Sequence, residues 1–542
     1  MPDEAAEPAA KPLRALRLVR RHVVFLLVLA AAVAIRGAAH VAYPFAFYFP
    51  DSGIYTALST QWSPHQTRPI AYPVFLDPFV PGPLIRVAIA QHVIGVCLVL
   101  AGYAVLVRRG VRPWLAALAM VPLAIDDMQV TLEHFVASET LFIALTGAAL
   151  VLLLWWRRVP AVAAGVAGLL LAAATLTRTV GLPVVLAVLL FLLVKMAIGQ
   201  AGWRAAAAYA LAASAPLVAY VLWFHATHGV YAFEQIGGRG LYSRVMSIAE
   251  CERLRLTERQ RLLCVTTPPS TRPEAADYWG FSPNSPGNLY FPDLDEDPFL
   301  REFGMTVIRQ QTWDYVRLVG RETSWHFRPR APLSEPTLCR FGGWRFPEQP
   351  NTPCNAAYYA LNPATQRLDL VPQPSTPLRS ALAQYTEVSA AVRGPLLGVA
   401  LLVVLAVAVW RGARGAWRRS VDPVLVAAIG FGLTFASVAL GMYEPRYGAP
   451  AIFLLPFAAA LGLAGAGEAR PDGRPDGPGQ PRESAPAATT SATTQPRTPR
   501  SSAGPTAPLL SPGPAGPVHP MLEPAPGEGS NAAGEPYVPP YR

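Results

Sequence analysis

The chain has 542 residues, 52% of them hydrophobic and 15% charged, with a formal charge of +10 and a mean hydropathy of +0.29. That composition excludes an ordinary soluble globular protein and fits a multispanning membrane protein. The positive charge is almost all arginine, lysine occurring only at Lys11 and Lys195, and the arginines flank hydrophobic runs, so no nucleic-acid partner follows from it.

A basic N-terminus, residues 1–21, leads into hydrophobic spans at 23–39, 84–107, 114–125, 140–156, 162–176, 180–194, 205–224, 396–410, 424–440 and 447–466. A helix needs about 20 apolar residues to cross the bilayer core, so the third, fifth and sixth are short. No small-residue cleavage site follows the first span, which reads as a retained helix. The expected fold is an all-α polytopic membrane protein with about 10 transmembrane helices. Its parts are a membrane module over 22–224 with a first external loop at 40–83, an external domain of mainly α and irregular structure over 225–391, closing membrane helices over 392–466, and a tail over 467–542. The Ala- and Pro-rich, arginine-biased usage points to a GC-rich bacterial genome.

Basic residues set the expected orientation. Arg14, Arg17, Arg20 and Arg21 precede the first span, Arg108, Arg109 and Arg112 follow the second, and Arg157 and Arg158 follow the fourth. Lys195 and Arg204 bracket the loop after the sixth; Arg411, Arg414, Arg418 and Arg419 follow the eighth. With alternating spans these fall on one side, which places both termini in the cytoplasm and the protein in the cytoplasmic membrane. The Asp51 loop, the Asp126–Glu139 loop, the segment after Phe224 and the Glu444–Arg446 turn then share the outer side.

In the first loop, Pro50-Asp51-Ser52-Gly53-Ile54-Tyr55 opens a short amphipathic segment. Ile54, Tyr55, Leu58 and Trp62 fall on one face of it, the pattern of a helix in the membrane interface. Asp51 suits a general base at a dry–wet boundary, or an N-cap, or both. Arg68 and Tyr72 follow in Thr67-Arg68-Pro69-Ile70-Ala71-Tyr72-Pro73, where the guanidinium suits a phosphate fork or is an ordinary exposed arginine of a tight loop. Arg36, near the outer end of the first span, has the same choice between phosphate and headgroups.

Glu133, His134 and Glu139 surround the entry to the fourth span, with Asp126 and Asp127 upstream. Carboxylates at that depth are costly unless paired or used; a divalent cation is one use, and the favourable helix N-terminus is another. Arg178 ends the fifth span and Arg446, followed by Tyr447, opens the last; each suits an anionic carrier, though Glu444 and Arg446 are also placed to neutralise each other at the surface.

Between the seventh and eighth spans, 298–327 has near-helical apolar spacing at Leu300, Phe303 and Val307. Cys251, Cys264, Cys339 and Cys354 lie in the same segment, an even count that favours disulfides, most simply 251–264 and 339–354, with other pairings open. No CxxC element supports structural zinc, and Cys97 in the second span reads as packing. The tail is rich in Pro, Gly, Ala, Ser and Thr, the composition of a disordered cytoplasmic segment. There is no P-loop or dinucleotide fingerprint.

The first-loop acid, the Arg-Pro…Tyr-Pro stretch, Glu133-His134…Ser138-Glu139-Thr140-Leu141-Phe142, Leu176-Thr177-Arg178 and Arg446-Tyr447…Pro450 together resemble the GT-C superfamily. The similar groups are phospholipid-carrier-dependent glycosyltransferases such as protein O-mannosyltransferases and lipid A aminoarabinose transferases, over about residues 20–465. The resemblance implies a glycosyltransferase that moves a sugar from a polyprenyl-phosphate donor to a hydroxyl of a glycan, lipid or protein acceptor outside the membrane, with inversion. It implies Asp51 as catalytic residue, Arg68, Arg178 and Arg446 on the donor phosphate, and Tyr55, Tyr72, Glu133, His134, Glu139 and Tyr447 around the substrate cavity. Many relatives carry a second acid directly after the first, where this chain has Ser52, which leaves metal use open. The rival expectations are a transporter or flippase of a lipid-linked or anionic substrate, and a catalytically inactive assembly protein.

Overall fold

The computed structural model describes residues 10–273, 275–330, 332, 343–349 and 375–464. Among these the regular structure is helical, with only isolated bridges at Phe47–Phe135, His65–Arg68 and Val159–Ala201. Cys339, Cys354 and the tail lie outside the described residues.

Each expected span has a helix. They are α1 (Ala10–Ala42), α4 (Ile85–Arg108), α5 (Pro113–Ile125), α7 (Glu139–Trp155), α8 (Ala161–Thr177), α9 (Leu182–Ala197), α10 (Trp203–His228), α17 (Pro377–Ala413), α18 (Val421–Leu440) and α19 (Ala449–Leu463). Seven are long and apolar enough to cross a membrane, two of them only with the short turn that precedes them, and an eighth is made when α5 joins α6 (Asp127–His134) across a 46° bend. The bend lies at Asp126, whose extended backbone interrupts the helix and whose carboxylate caps α6 at Met128 N and Gln129 N. The sixth span, expected to be short, gains length from the turn at Thr179–Gly181. The fourth is the shorter one, since α7, like α8, has 17 residues. At about 1.5 Å per residue such a helix falls a little below the roughly 30 Å bilayer core.

Helix α19 is innermost, with 83% of its span buried against 22% for α1. Its apolar run is hydrophobic all round, as an interior helix must be. Helices α8 and α10 approach closely at Gly168, where a Cβ would stand 2.6 Å from the Tyr209 carbonyl.

The bundle has two chemically distinct ends. At one, Lys195 (2.5 Å) and Arg109 both pair with Asp422, while Arg108 donates to the Trp155 carbonyl and Arg411 to that of Ala464. The helix ends that sequence charge assigns to one side therefore meet. At the other end lie α2 (Pro50–Ser59) and α3 (Ala71–Leu76) of the first loop.

Helices α11 (Gly237–Val245), α12 (Glu258–Arg261), α13 (Ala276–Phe281), α14 (Pro286–Tyr290) and α15 (Asp297–Gln310) enclose a small core of their own around Tyr242, Met246, Leu263, Trp279, Leu300 and Phe303. The helical stretch expected over 298–327 is two helices, α15 and α16 (Thr312–Trp325), parted at Gln311, whose side chain donates to the Ile248 carbonyl. Cys251 and Cys264 are joined as a disulfide. The expected boundary near residue 391 falls inside the continuous helix α17.

Candidate functional site

The first loop is folded onto the start of α7 by backbone pairing. Phe47 N donates to the His134 carbonyl (2.8 Å), and Val136 N donates to that of Phe47 (2.9 Å). Pro50 at the first position starts α2, and Asp51 follows in its first turn, where the helix dipole favours a carboxylate. The N-cap is Phe49, so the capping role considered for Asp51 is not the one it takes. Ser52 is fully buried and donates to the Val136 carbonyl at 2.7 Å. A carboxylate there would face a carbonyl oxygen without a proton to offer, which accounts for serine at this position.

The buried face of α2 is Ser52, Tyr55, Thr56, Leu58 and Ser59. The expected apolar face is corrected: Ile54 is only half-buried, and Trp62 lies beyond the helix, exposed, with a positive φ of 45° and its Nε1 donating to Asp77. The helix stops three residues before Trp62, so the periodicity does not extend to it.

Asp51 and Arg68 form an ion pair at 2.5 Å, with side chains 21% and 18% exposed. Arg68 also donates to the Thr67 carbonyl (2.6 Å), and its buried Nε has no acceptor. Burial pulls the Arg68 pKa down, but Asp51, Tyr55 and Glu234 outweigh it and hold the guanidinium charged.

A second cluster lies beside this pair. Arg178, at the end of α8, reaches Glu139 Oε1 at 2.7 Å, and Arg446, just before α19, reaches the same oxygen at 2.9 Å. The second contact is close but poorly aligned, leaving Arg446 Nε and Nη1 without a hydrogen-bond acceptor. Arg446 is packed against the rings of Phe49, Trp344 and Tyr447, 4.5–5.3 Å from their centres, and Arg178 lies over Tyr447 at 5.4 Å. Ser138 ties the clusters together, accepting from Arg178 (3.1 Å) and bonding the Tyr55 hydroxyl (3.2 Å). Tyr55 meets Tyr72 edge to face at 4.9 Å, and Tyr72 donates to Gln91. Burial, then the Asp51 charge, pushes the Tyr55 phenol up to about 12, so it stays a neutral hydrogen-bonding group.

Asp51, Tyr55, Arg68, Tyr72, Glu139, Arg178, Arg446 and Tyr447 thus come together as the sequence groups them. From the cationic cluster a partly open cleft of about 300 Å³ runs between helices, lined by Phe142, Ile143, Val180, Leu433 and Pro450.

Glu234 is a member that sequence reading misses. It accepts from Thr179 at 2.6 Å and faces Arg68 and Arg178; burial raises its pKa. It sits in a loop after α10 with no motif around it, and only the fold brings it here.

Other expected site residues are elsewhere, and their assignments are corrected. Glu133 is fully buried, gripped by Arg36 through Nε and Nη2 at 2.8 Å each, by Gln129 (3.0 Å) and by His92 (3.0 Å). His134 bonds His92 and donates to the carbonyls of Tyr43 and Phe45. These groups tie α1, α4 and α6 together inside the bundle, so neither Glu133 nor His134 faces the cleft and Arg36 meets no headgroup. Asp126 and Asp127 clamp Arg393 of α17 rather than a cation (Asp126 at 2.8 Å). Among the described residues no group of three or more His, Cys, Asp or Glu is arranged to hold a metal ion. The surface pairing of Glu444 with Arg446 is also replaced: Glu444 is buried and accepts from Trp344 Nε1. Burial pushes its pKa up to about 7, against the opposing pull of Arg446 and the Trp344 hydrogen bond.

No family model matches the chain, and no curated protein and no solved structure matches it.

Proposed function

We propose that the protein is a membrane glycosyltransferase of GT-C type that moves a sugar from a polyprenyl phosphate to an acceptor hydroxyl at the outer face of the cytoplasmic membrane. The observation that carries the reading is the head-and-groove arrangement. Arg178 and Arg446 share one carboxylate at the top of an apolar cleft, with the Asp51–Arg68 pair beside them. Two guanidiniums share one carboxylate oxygen, and Arg446 has buried N–H groups without acceptors. A phosphate on an isoprenoid chain satisfies both features, its charge on the arginines and its chain in the cleft.

In this mechanism Asp51 accepts the proton of the acceptor hydroxyl, and the oxygen attacks the anomeric carbon. The bond from that carbon to the phosphate oxygen breaks, and the lipid phosphate leaves with its charge held by Arg178 and Arg446. Arg68 is assigned to fixing the direction of the Asp51 carboxylate, a change from the phosphate role suggested by its position in sequence. A single displacement inverts the anomeric centre. Glu139 sets the two arginines and does not touch the reacting atoms.

The orientation is supported by the Cys251–Cys264 disulfide, which belongs in an oxidising compartment, and by the basic cluster at the far end of the bundle. Within this reading α7 and α8 also cross, giving about ten crossings with local thinning at the site.

The test compares a deletion strain carrying wild-type or Asp51→Asn protein. The expected result is that the mutant loses one glycan and accumulates its polyprenyl-phosphate sugar, as the deletion does. Full restoration of the glycan by Asp51→Asn, at normal membrane levels, would overturn the reading.

A further inference from the structure

A second cavity, of about 490 Å³ including its open mouth, lies on the other side of the Tyr443–Gly448 turn. The turn divides the two: Arg446, Tyr447 and Pro450 line the donor cleft, while Tyr443, Pro445 and Gly448 line this one. Its walls carry three arginines, Arg328, Arg345 and Arg393, with His326, over a floor that includes Met128 and Leu397.

The guanidiniums differ in what they have left to offer. Arg393 spends Nε and Nη2 on Asp126 and Asp127, and Arg345 pairs with Glu387 at 2.7 Å. Three carboxylates thus occupy these two guanidiniums. Arg328 has no carboxylate partner among the described residues and is exposed at the mouth, so its guanidinium is the one with donors left for an anion.

Deeper in, two polar groups have no partner. His326 is 7% exposed and its Nε2 makes no hydrogen bond, and the buried hydroxyl of Tyr443 makes none either. Their rings stack obliquely at 4.8 Å, so both are held in place. Buried polar atoms without partners are uncommon in folded proteins and point to a ligand. Two glycines shape the cavity. A Cβ on Gly394 would stand 2.2 Å from the Arg328 carbonyl, and one on Gly448 would stand 2.7 Å from His326 Nδ1. Only glycine lets the chain at Arg328 lie on α17 and lets the His326 ring sit against the turn.

We propose that this cavity is a second binding site, taking a phosphate group, with Arg328 as its charged anchor and His326 and Tyr443 bonding the phosphate oxygens. The apolar floor beside the arginines suits a phosphate borne on an amphiphile. It stands on geometry separate from the donor cleft and does not require the transfer reading.

The probe is the full-length protein in lipid nanodiscs. One arm titrates phosphatidylglycerol into phosphatidylcholine discs and counts retained anionic lipid by native mass spectrometry. The other arm keeps phosphatidylcholine alone and titrates inorganic phosphate. Saturable binding is expected in at least one arm, and Arg328→Gln should weaken it about tenfold, the loss of one charge-assisted hydrogen bond. Arg330→Gln, an exposed arginine that does not line the cavity, should leave it unchanged. Saturation only in the lipid arm identifies a lipid headgroup as the source; saturation by inorganic phosphate identifies a soluble one. No saturable binding in either arm, or equal binding by wild type and Arg328→Gln, or equal losses in Arg328→Gln and Arg330→Gln, would each overturn the proposal.

Discussion

Arg178 and Arg446 end on one carboxylate oxygen, Glu139 Oε1, at 2.7 and 2.9 Å. Two like charges are thereby held side by side at the end of the helical bundle, and the shared anion neutralises only one of them. Arg446→Gln removes the less well bonded guanidinium. Under the proposed mechanism transfer should fall on the order of a hundredfold, chiefly in kcat, because charge would develop on the leaving phosphate only as the bond breaks. An in vitro transfer assay with separate kcat and KM would show it; a change confined to KM would move Arg446 to ground-state binding.

Asp51→Asn tests the proposed base directly. The expected loss of transfer is about a hundredfold or more, with a loss of folded stability below the about 3–5 kcal/mol of a fully buried pair, since the Asp51–Arg68 pair keeps some solvent and asparagine keeps an acceptor for Arg68. Thermal unfolding in detergent beside the transfer assay separates the two effects. A large loss of stability together with activity would make Asp51 a structural residue.

Glu133 gives the opposite pattern. Its removal leaves the Arg36 guanidinium buried and unpaired, a cost of about 3–5 kcal/mol. Glu133→Gln should therefore lower folded yield and thermal stability while leaving the KM of the surviving protein unchanged. Gly95→Ala should act in the same direction, because a Cβ there would stand 2.1 Å from Glu133 Oε1. An altered KM with normal stability in either variant would return Glu133 to the substrate cavity.

Glu444 predicts a pH dependence. Burial lifts its pKa from 4.5 to about 7. A folded-state value above the unfolded one means that the stabilising contribution is complete below about pH 4.5 and is lost as pH rises through 7. Glu444→Gln keeps an acceptor for Trp344 and removes the titration. The variant should match wild type near pH 4 and exceed it at pH 8, by at most about 3 kcal/mol. Equal thermal stability of the two proteins at both pH values would refute the burial argument.

The Cys251–Cys264 bridge closes a short loop, with a sequence separation of 13. Replacing both cysteines by serine should cost about 2–3 kcal/mol in the stability of the segment around α11–α15. Limited proteolysis of that segment, with and without reductant, reads the effect. Cleavage that is unchanged by reductant and by the substitution would show that the bridge does not constrain this segment.

Sequence by itself determined the helices that form the bundle, because hydropathy over a window is a local property and a buried helix must be apolar along its length. It also grouped Asp51, Arg68, Glu139, Arg178 and Arg446 on one expected side, since each stands in the first loop or at a span end that alternation puts there, but the same pattern took in Glu133 and His134. Only the tertiary structure decided which charge meets which. Glu133 and Glu139 lie in one short stretch and read alike, yet the turn after His134 sends Glu133 into the bundle against Arg36 and Glu139 toward the cleft. Asp126 and Asp127 read as metal ligands until α17 brings Arg393 against them. Glu234 carries no signal until its loop folds beside Arg68 and Arg178. Ion pairing depends on a few ångströms between segments remote in the chain, and that distance is fixed by helix packing, which no local pattern encodes.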